Sequence, residues 1–481
     1  MVNIMERRPR KAKSRSPAAR SPSPHKKTTE PTPLELDRYI PWMFAKLQSE
    51  LTVVVRRVQQ EEHPRGRNRL LSTSSRVSRV STVSVRRTES YPTLLKTVPT
   101  NTSLVTVENA IPLTIVYSRA GHAIEIAINA STFPINRQLT NVISLLLPYH
   151  TRLNKFTCQG KGVHSSDIAE IVKMLQFSNL TDICLDNTFV PQGTYYVLLD
   201  QASSLKCLSL SKCKINDTVC KIMAERLQCN GPASRNLRML NLSCNLITDV
   251  GAQALGNSLR TNRHIMHLNL CGNGITNVGA GYLLEPLSEF PFTADEIKER
   301  IRRRRDFYNR KADIPKSPTS TNTNLSTDNG KDNKAKPFLK NSSINSKINV
   351  NLIDEKVVVD DFSDPSNTIF KNGCSYSIGN LILCSLNLGY NCLDYTVLSK
   401  IIDVLIYQKD QARALTRTGL LRIVLEGNNL PVSCEEYSKI EMYLAMLNNE
   451  ALAFKKKRKS SSKSRRESSF RNATTSSVVL P

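Results

Sequence analysis

The sequence predicts an α/β solenoid: a curved horseshoe with short parallel strands inside and helices outside, carrying disordered basic tails and one long insertion. Three observations predict it. The pattern Leu-x-x-Leu-x-Leu-x-x-Asn-x-Leu is met in full by Leu237, Leu240, Leu242, Asn245 and Ile247, and again by Ile265, Leu268, Leu270, Asn273 and Ile275. Copies begin at 123, 153, 180, 205, 237 and 265, at spacings of 25 to 32 residues, and two more begin at 383 and 420. Between copies the apolar residues shift to helical spacing, as in Gly251-Ala252, Leu255 and Leu259. Such a period marks stacked units, each of which buries its apolar face only against its neighbours.

Taken in order, residues 1–33 are rich in Ser, Pro, Arg and Lys and read as a disordered basic tail. Over 34–60, Leu36, Tyr39, Ile40, Met43, Leu47, Leu51 and Val54 recur at spacings of three and four, which predicts an amphipathic helix entered or kinked at Pro41. Residues 61–103 return to Arg/Ser-rich sequence and read as a linker. The block 104–292 opens with two short strands, Leu104–Val107 and Leu113–Tyr117, as a cap, and then carries the first repeats. Ala123, Ile126, Ile128 and Phe133 form a degenerate copy, and Leu153, Phe156, Cys158 and Val163 a weak one. Leu180, Ile183, Leu185, Thr188 and Val190 fit more loosely than Leu205, Leu208, Leu210, Cys213 and Ile215, where Cys stands at the Asn position.

After the repeats, Thr293 and Glu296 have capping-box spacing, which predicts a basic helix over 293–311 extending from the last contiguous copy. Residues 312–378 read as a mostly disordered insertion, with one strand near Val357-Val358-Val359. The second block, 379–447, holds Leu383, Leu386, Leu388, Asn391 and Leu393, then Leu420, Ile423, Leu425, Asn428 and Leu430. A solenoid tolerates an insertion between turns, so the simplest path stacks the copy at 383 on the copy at 265. Residues 448–481 read as a second disordered basic tail.

The charge lies outside the repeats. Segments 1–30, 56–87, 295–311 and 455–481 together carry the whole formal net charge of +26. The tails have three readings: a solvated extension, electrostatic attachment to an acidic polymer such as tubulin or nucleic acid, and a nuclear-import signal at 455–459. Phosphorylation of Ser78, Ser81 or Ser84 would cancel about 1.5 to 2 charges each. The residues before Lys27 carry no apolar stretch like that of a secretory signal, and no run is long enough to span a bilayer. The chain's 12 cysteines include no Cys-x-x-Cys pair, which suits free thiols in a reducing, intracellular compartment. The expected location is cytoplasmic, ciliary or cytoskeletal, with the nucleus as the alternative.

Alternation along each strand sends the Leu residues inward and their neighbours to the concave face. The candidate partner-binding residues are therefore Asp182, Asp186, Ser209, Asn241, His267, Asn269, Asn387, Tyr390, Arg422 and Glu426, with Cys184, Ser211 and Ser243 beside them. This mixed polar face suits a protein partner better than a lipid. Cys213, Asn245, Asn273, Asn391 and Asn428 have a structural role, turning the chain out of the strand and bonding the backbone there. Cys207, Cys244 and Cys271 lie near the strands without the paired spacing of a zinc site. The histidines, His264 included, accompany no nucleophile motif or phosphate loop, so neither catalysis nor a cofactor is expected.

The repeats at 237–283 resemble the ribonuclease-inhibitor class of leucine-rich repeats in their 28-residue spacing and Gly-Ala helix start. The run Leu268–Lys311 and the segment 383–447 resemble a narrower family within that class, with a basic helix, a polar insertion and two closing repeats. That resemblance implies a non-enzymatic intracellular protein, a component of motile cilia.

Overall fold

The computed structural model describes residues 30–49, 52–60, 110–129, 137–160, 162–200, 204–312, 362–414, 419–431 and 434–451. The linker over 61–103, the strand expected at 104–107, the stretch around Val357–Val359 and most of both tails lie outside the described residues.

The chain opens with α1 (Leu36–Lys46), which buries Leu36, Ile40 and Phe44 at four-residue spacing. It continues as β1 (Thr52–Gln59), a strand, so the helix expected over 34–60 holds only to Lys46. Leu47 and Val54 fit a helical spacing by chance. The β-branched run Thr52-Val53-Val54-Val55 favours a strand, and Gln48 in the left-handed region (φ 51°) turns the chain before it.

Next come β2 (Ala110–Tyr117), β3 (Ala123–Asn129), α2 (Arg137–Leu146), β4 (Lys155–Gln159) and α3 (Ser165–Gln176). Then β5 (Asp182–Cys184) precedes a short 3-10 segment, Thr194–Leu199, that stands where other turns have a helix. The regular turns follow: β6 (Cys207–Ser209), α4 (Asp217–Leu227), β7 (Met239–Asn241), α5 (Asp249–Thr261), β8 (His267–Asn269) and α6 (Asn277–Leu284). After β9 (Phe290–Pro291) comes the basic helix α7 (Ala294–Ala312). The chain returns through β10 (Thr368–Lys371) and β11 (Cys374–Ser377), then β12 (Ser385–Asn387), α8 (Thr396–Ala414), β13 (Arg422–Val424) and α9 (435–451).

One sheet of 10 strands runs in the order β1-β2-β3-β4-β5-β6-β7-β8-β12-β13. Its pairs are parallel except β2–β3, which are antiparallel neighbours joined by a tight turn. β12 pairs β8 in parallel, Leu386 opposite Leu268, so the second block stacks directly on the first. The inward residues form one continuous apolar core from Leu36 to Leu447. Leu240, Leu242 and Leu270 are fully buried and Leu268 nearly so. Each such leucine contributes about 1.5 to 3 kcal/mol.

The insertion departs from the expected disorder at its C-terminal end. Residues 362–378 carry the β10–β11 hairpin, which pairs antiparallel with β9. Its turn is Asn372-Gly373, both in the left-handed region (φ 48° and 73°), the pair that a two-residue hairpin requires. α7 does not run on from the solenoid but folds back along it. Its capping box is formed, with Glu296 N donating to Thr293 Oγ1 (3.2 Å) and Thr293 N to Glu296 Oε2 (2.8 Å).

Two of the arginines on α7 are buried. Arg300 stacks on Phe292 (4.3 Å) and Phe362 (5.5 Å) and donates to Phe362 O, Asp364 O and Thr368 Oγ1. Arg303 donates to Cys229 O and to Glu299 Oε1 (2.8 Å). Phe290, Phe292, Phe362 and Cys229 make a second, smaller apolar cluster around them.

Candidate functional site

The parallel register builds three rows of side chains across the concave face. The first runs Glu125, Lys155, Asp182, Cys207, Met239, His267, Ser385, Arg422. The middle row runs Ala127, Thr157, Cys184, Ser209, Asn241, Asn269, Asn387, Val424. Backbone bonding continues the ladder two residues on, which places Asp186, Ser211, Ser243, Cys271, Gly389 and Glu426 in a third row.

Neighbouring turns bond to each other along this face. Ser209 Oγ donates to Asp186 Oδ1 (2.6 Å), Asn241 Nδ2 to Ser209 Oγ (2.8 Å) and Ser243 Oγ to Ser211 Oγ (2.9 Å). Asn241, Asn269 and Asn387 use one strategy: each side-chain oxygen accepts the backbone N–H two residues later, at 3.2, 3.1 and 3.0 Å. These bonds fix the side chains before any partner arrives, which lowers the ordering cost of binding. Asn241 and Ser243 are buried by their neighbours, whereas Arg422 and Glu426 are exposed. Burial holds His267 below its ordinary pKa, so its imidazole is neutral at neutral pH. Burial pushes the Cys184 thiol up to about 11, with the Asp186 charge adding to it. Burial and a bond to Asp182 push the Cys207 thiol up to about 12.

Tyr390, grouped with the concave residues from its sequence position, lies outside the three rows, one residue beyond Gly389 of the third. It occupies the left-handed position just before the Asn of its turn (φ 52°), and its ring covers Gly427, where a Cβ would lie 2.5 Å from the ring edge. Asn187, Lys212, Cys244, Gly272 and Gly427 hold the same position with positive φ in their own turns. Sequence reasoning also passed over Glu125, Lys155 and Thr157, which extend the face toward the N-terminus. Thr157 Oγ1 donates to Glu125 Oε1 at 2.7 Å, and Lys155 pairs with Glu125 at 3.0 Å. Alternation around Ile126 and Phe156 was the signal that could have found them.

The Asn positions stitch consecutive turns together. Asn245 Nδ2 donates to Leu242 O (2.8 Å) in its own turn and to Leu210 O (2.9 Å) in the turn before, while its Oδ1 accepts from Cys213 N (2.9 Å) and Ile215 N (3.1 Å). Asn273 donates to Leu270 O and Leu242 O and accepts from Ile247 N. Asn391 donates to Leu388 O and Leu270 O and accepts from Ile275 N, across the insertion. Asn428 donates to Leu425 O and Leu388 O. Cys213 reaches Leu185 O in the preceding turn at 3.2 Å, and burial pushes its thiol up to about 11. Where Thr188 replaces Asn, the Tyr195 hydroxyl donates to Thr188 O (2.9 Å) and accepts from Val190 N (3.0 Å).

A second ladder joins the helix starts. Asp217 Oδ1 accepts from Thr248 N (2.8 Å) and Gly251 N (2.9 Å) of the next turn. Asp249 does the same for Thr276 N (2.7 Å) and Gly279 N (3.0 Å). A Cβ on Gly279 would meet Asp249 Oδ1 at 2.3 Å, which is why glycine opens the Gly-Ala pair. Among the described residues, no three His, Cys, Asp or Glu side chains group to hold a metal, and no helix is long and apolar enough to cross a membrane.

Residues 233–256 and 261–284 match the Leucine Rich repeat family. No curated protein matches the chain in sequence. Among solved structures the chain is similar to leiomodin-1 actin-binding site 2, at 12% identity and a TM-score of 0.24, over 53% of this chain and 83% of that one. It is also similar to an internalin, inlF, from Listeria monocytogenes, at 13% identity and a TM-score of 0.29, over 68% of this chain and 69% of that one. The family match and the stacked strand–turn–helix coils agree: this protein is built on a leucine-rich-repeat solenoid.

Proposed function

We propose that this protein is a non-enzymatic scaffold that holds a protein partner on the concave face of its solenoid. One observation carries the reading. Two register-aligned rows of mainly polar and small side chains run from β3 to β13, and a third joins them from Asp186 to Glu426, on the face that the helices leave open. Such a surface is long, curved and fixed in place, and it mixes Asp182 and Asp186 with Arg422 and neutral amides, which suits a protein surface of mixed polarity.

In sequence, the order of a basic helix, a polar insertion and two closing repeats resembles leucine-rich repeat-containing protein 71. This supports placing the scaffold in a ciliary or cytoskeletal assembly. The test is affinity capture from extracts of ciliated cells. The double variant Asn269→Arg and Ser385→Arg puts two long cations into the concave rows without touching the core. It should abolish capture of the partner, whereas deletion of 1–29 and 455–481 should preserve it. Capture that survives the concave variant but is lost with the tails, and falls steeply with salt, would instead favour binding of tubulin or nucleic acid by the basic segments.

A further inference from the structure

The stacking of turns brings two thiols together where β7 and β8 end. Just past each strand, a backbone N–H of one turn donates to a carbonyl of the turn that follows: Lys212 N to Ser243 O (3.0 Å), Cys244 N to Cys271 O (2.7 Å) and Gly272 N to Gly389 O (2.9 Å). At the second of these junctions both residues are cysteines. The covalent bonds on either side of that contact keep the two Cα atoms within about 6.6 Å of each other. A disulfide joins Cα atoms about 4.4 to 6.8 Å apart, so the backbone already holds the pair within bonding range.

The side chains fit the same reading. Cys244 sits in the left-handed region (φ 56°), and its Sγ lies 3.1 Å from where a Cβ on Gly272 would stand. Glycine at 272 leaves the thiol that space, and Gly272 directly follows Cys271. The Cys244 thiol therefore leans over the strand end that carries its counterpart. Cys244 is exposed and Cys271 half-buried. Burial pushes the Cys271 thiol up, with charge on Cys244 and Glu426 adding to it. Among the described residues neither thiol makes a hydrogen bond, whereas Cys213 Sγ is held by Leu185 O. Cys244 is thus the thiol that meets a reagent first, and Cys271 the one placed to resolve the product.

We propose that Cys244 and Cys271 form a reversible disulfide, closed by a low-molecular-weight disulfide such as oxidised glutathione. The Cys244 thiolate attacks one sulfur of the reagent, forms a mixed disulfide and expels one glutathione thiolate, which takes up a proton. The Cys271 thiolate then attacks the Cys244 sulfur and expels the second glutathione thiolate, which takes up the other. Two protein thiols are oxidised and one glutathione disulfide is reduced to two thiols; excess reduced glutathione runs both steps backward. Cys271 belongs to the third row of the concave face, so the bond changes that row whatever partner the face receives.

The reduced full chain, incubated with oxidised glutathione, blocked with N-ethylmaleimide and digested with trypsin without reduction, tests this by peptide mass spectrometry. Cleavage after Arg260 and Arg263 puts the two thiols on separate peptides. The main product at these positions should be one peptide linked to the other through Cys244 and Cys271, and reduced glutathione should reverse it. Serine holds the third row at 211 and 243, so Cys271→Ser keeps the turn intact. In that variant Cys244 should stop at the mixed disulfide, carrying glutathione about tenfold more often or better than in the unsubstituted chain. In Cys244→Ser, Cys271 should carry maleimide. Glutathione on Cys244 beside a free Cys271 in the unsubstituted chain, an adduct yield indifferent to Cys271→Ser, or Cys244 linked to a different cysteine would each overturn the proposal.

Discussion

The asparagines of this solenoid divide into two kinds that the sequence makes look alike. Asn273 is buried and serves the backbone of two turns, bonding Leu270 O, Leu242 O and Ile247 N. Asn269, four residues earlier, faces the concave side, and its oxygen accepts one backbone N–H, that of Cys271. Removing the first strands buried polar groups; removing the second lets water replace the bond. Asn273→Ala should therefore cost about 3 kcal/mol, since each buried group left without a partner costs about 1 to 3 kcal/mol. Asn269→Ala should cost less than about 1 kcal/mol. Chemical denaturation of the two variants checks this, and equal losses would refute the division. The Asn template was legible because each side chain must satisfy a fixed set of backbone groups, which only a few residue types can do. The Tyr195 hydroxyl was not legible. It takes over from the second residue of a 3-10 segment, and nothing in residues 188–195 announces that contact.

Elements were readable where their period had room to repeat and unreadable where one side chain decided the outcome. The strands at 207, 239 and 267 and the helices after them follow from alternation giving way to helical spacing. β1 was misread because four β-branched or apolar residues satisfy either period over so short a run. The basic helix was legible as a helix, but its role was hidden in the identity of two arginines among many. Arg300 and Arg303 reach inward to carbonyls, while Arg302 stays outside with Glu299 and Asp306. Burial alone would raise the Glu299 pKa, but hydrogen bonds and charge from Arg302 and Arg303 outweigh it and hold the carboxyl below its usual range. The returning hairpin therefore depends on Arg300, which binds Asp364 O at 3.2 Å and stacks on both phenylalanines. Arg300→Ala should speed hydrogen exchange across residues 362–377 while leaving β6, β7 and β8 protected. Unchanged exchange in the hairpin would show that the contact with β9 suffices without the arginine.

Across the whole molecule the insertion separates turns in sequence but not in space. The blocks share more than the β8–β12 register. Asn380 Nδ2 donates to Leu259 O and Asn262 O at 3.0 Å, Arg263 donates to Ser377 Oγ at 3.2 Å, and Gln408 bridges Leu287 O and Leu420 N at 3.0 and 2.7 Å. Leu383, Leu386 and Leu388 are fully buried in the common core. The second block supplies two repeats, fewer than the roughly three that stand alone. It is ordered because it stacks on the first block, and the first would expose the apolar edge of β8 and α6 without it. The covalent link between the blocks adds effective concentration. A protease site introduced between Gly330 and Lys331 isolates that contribution. After cleavage the two fragments should stay together through gel filtration at micromolar concentration and unfold in one transition. Their interface is core, not surface, and resembles that of an obligate complex. Fragments that separate on cutting, or that melt independently, would mean the two blocks are distinct units and that no single concave face spans them.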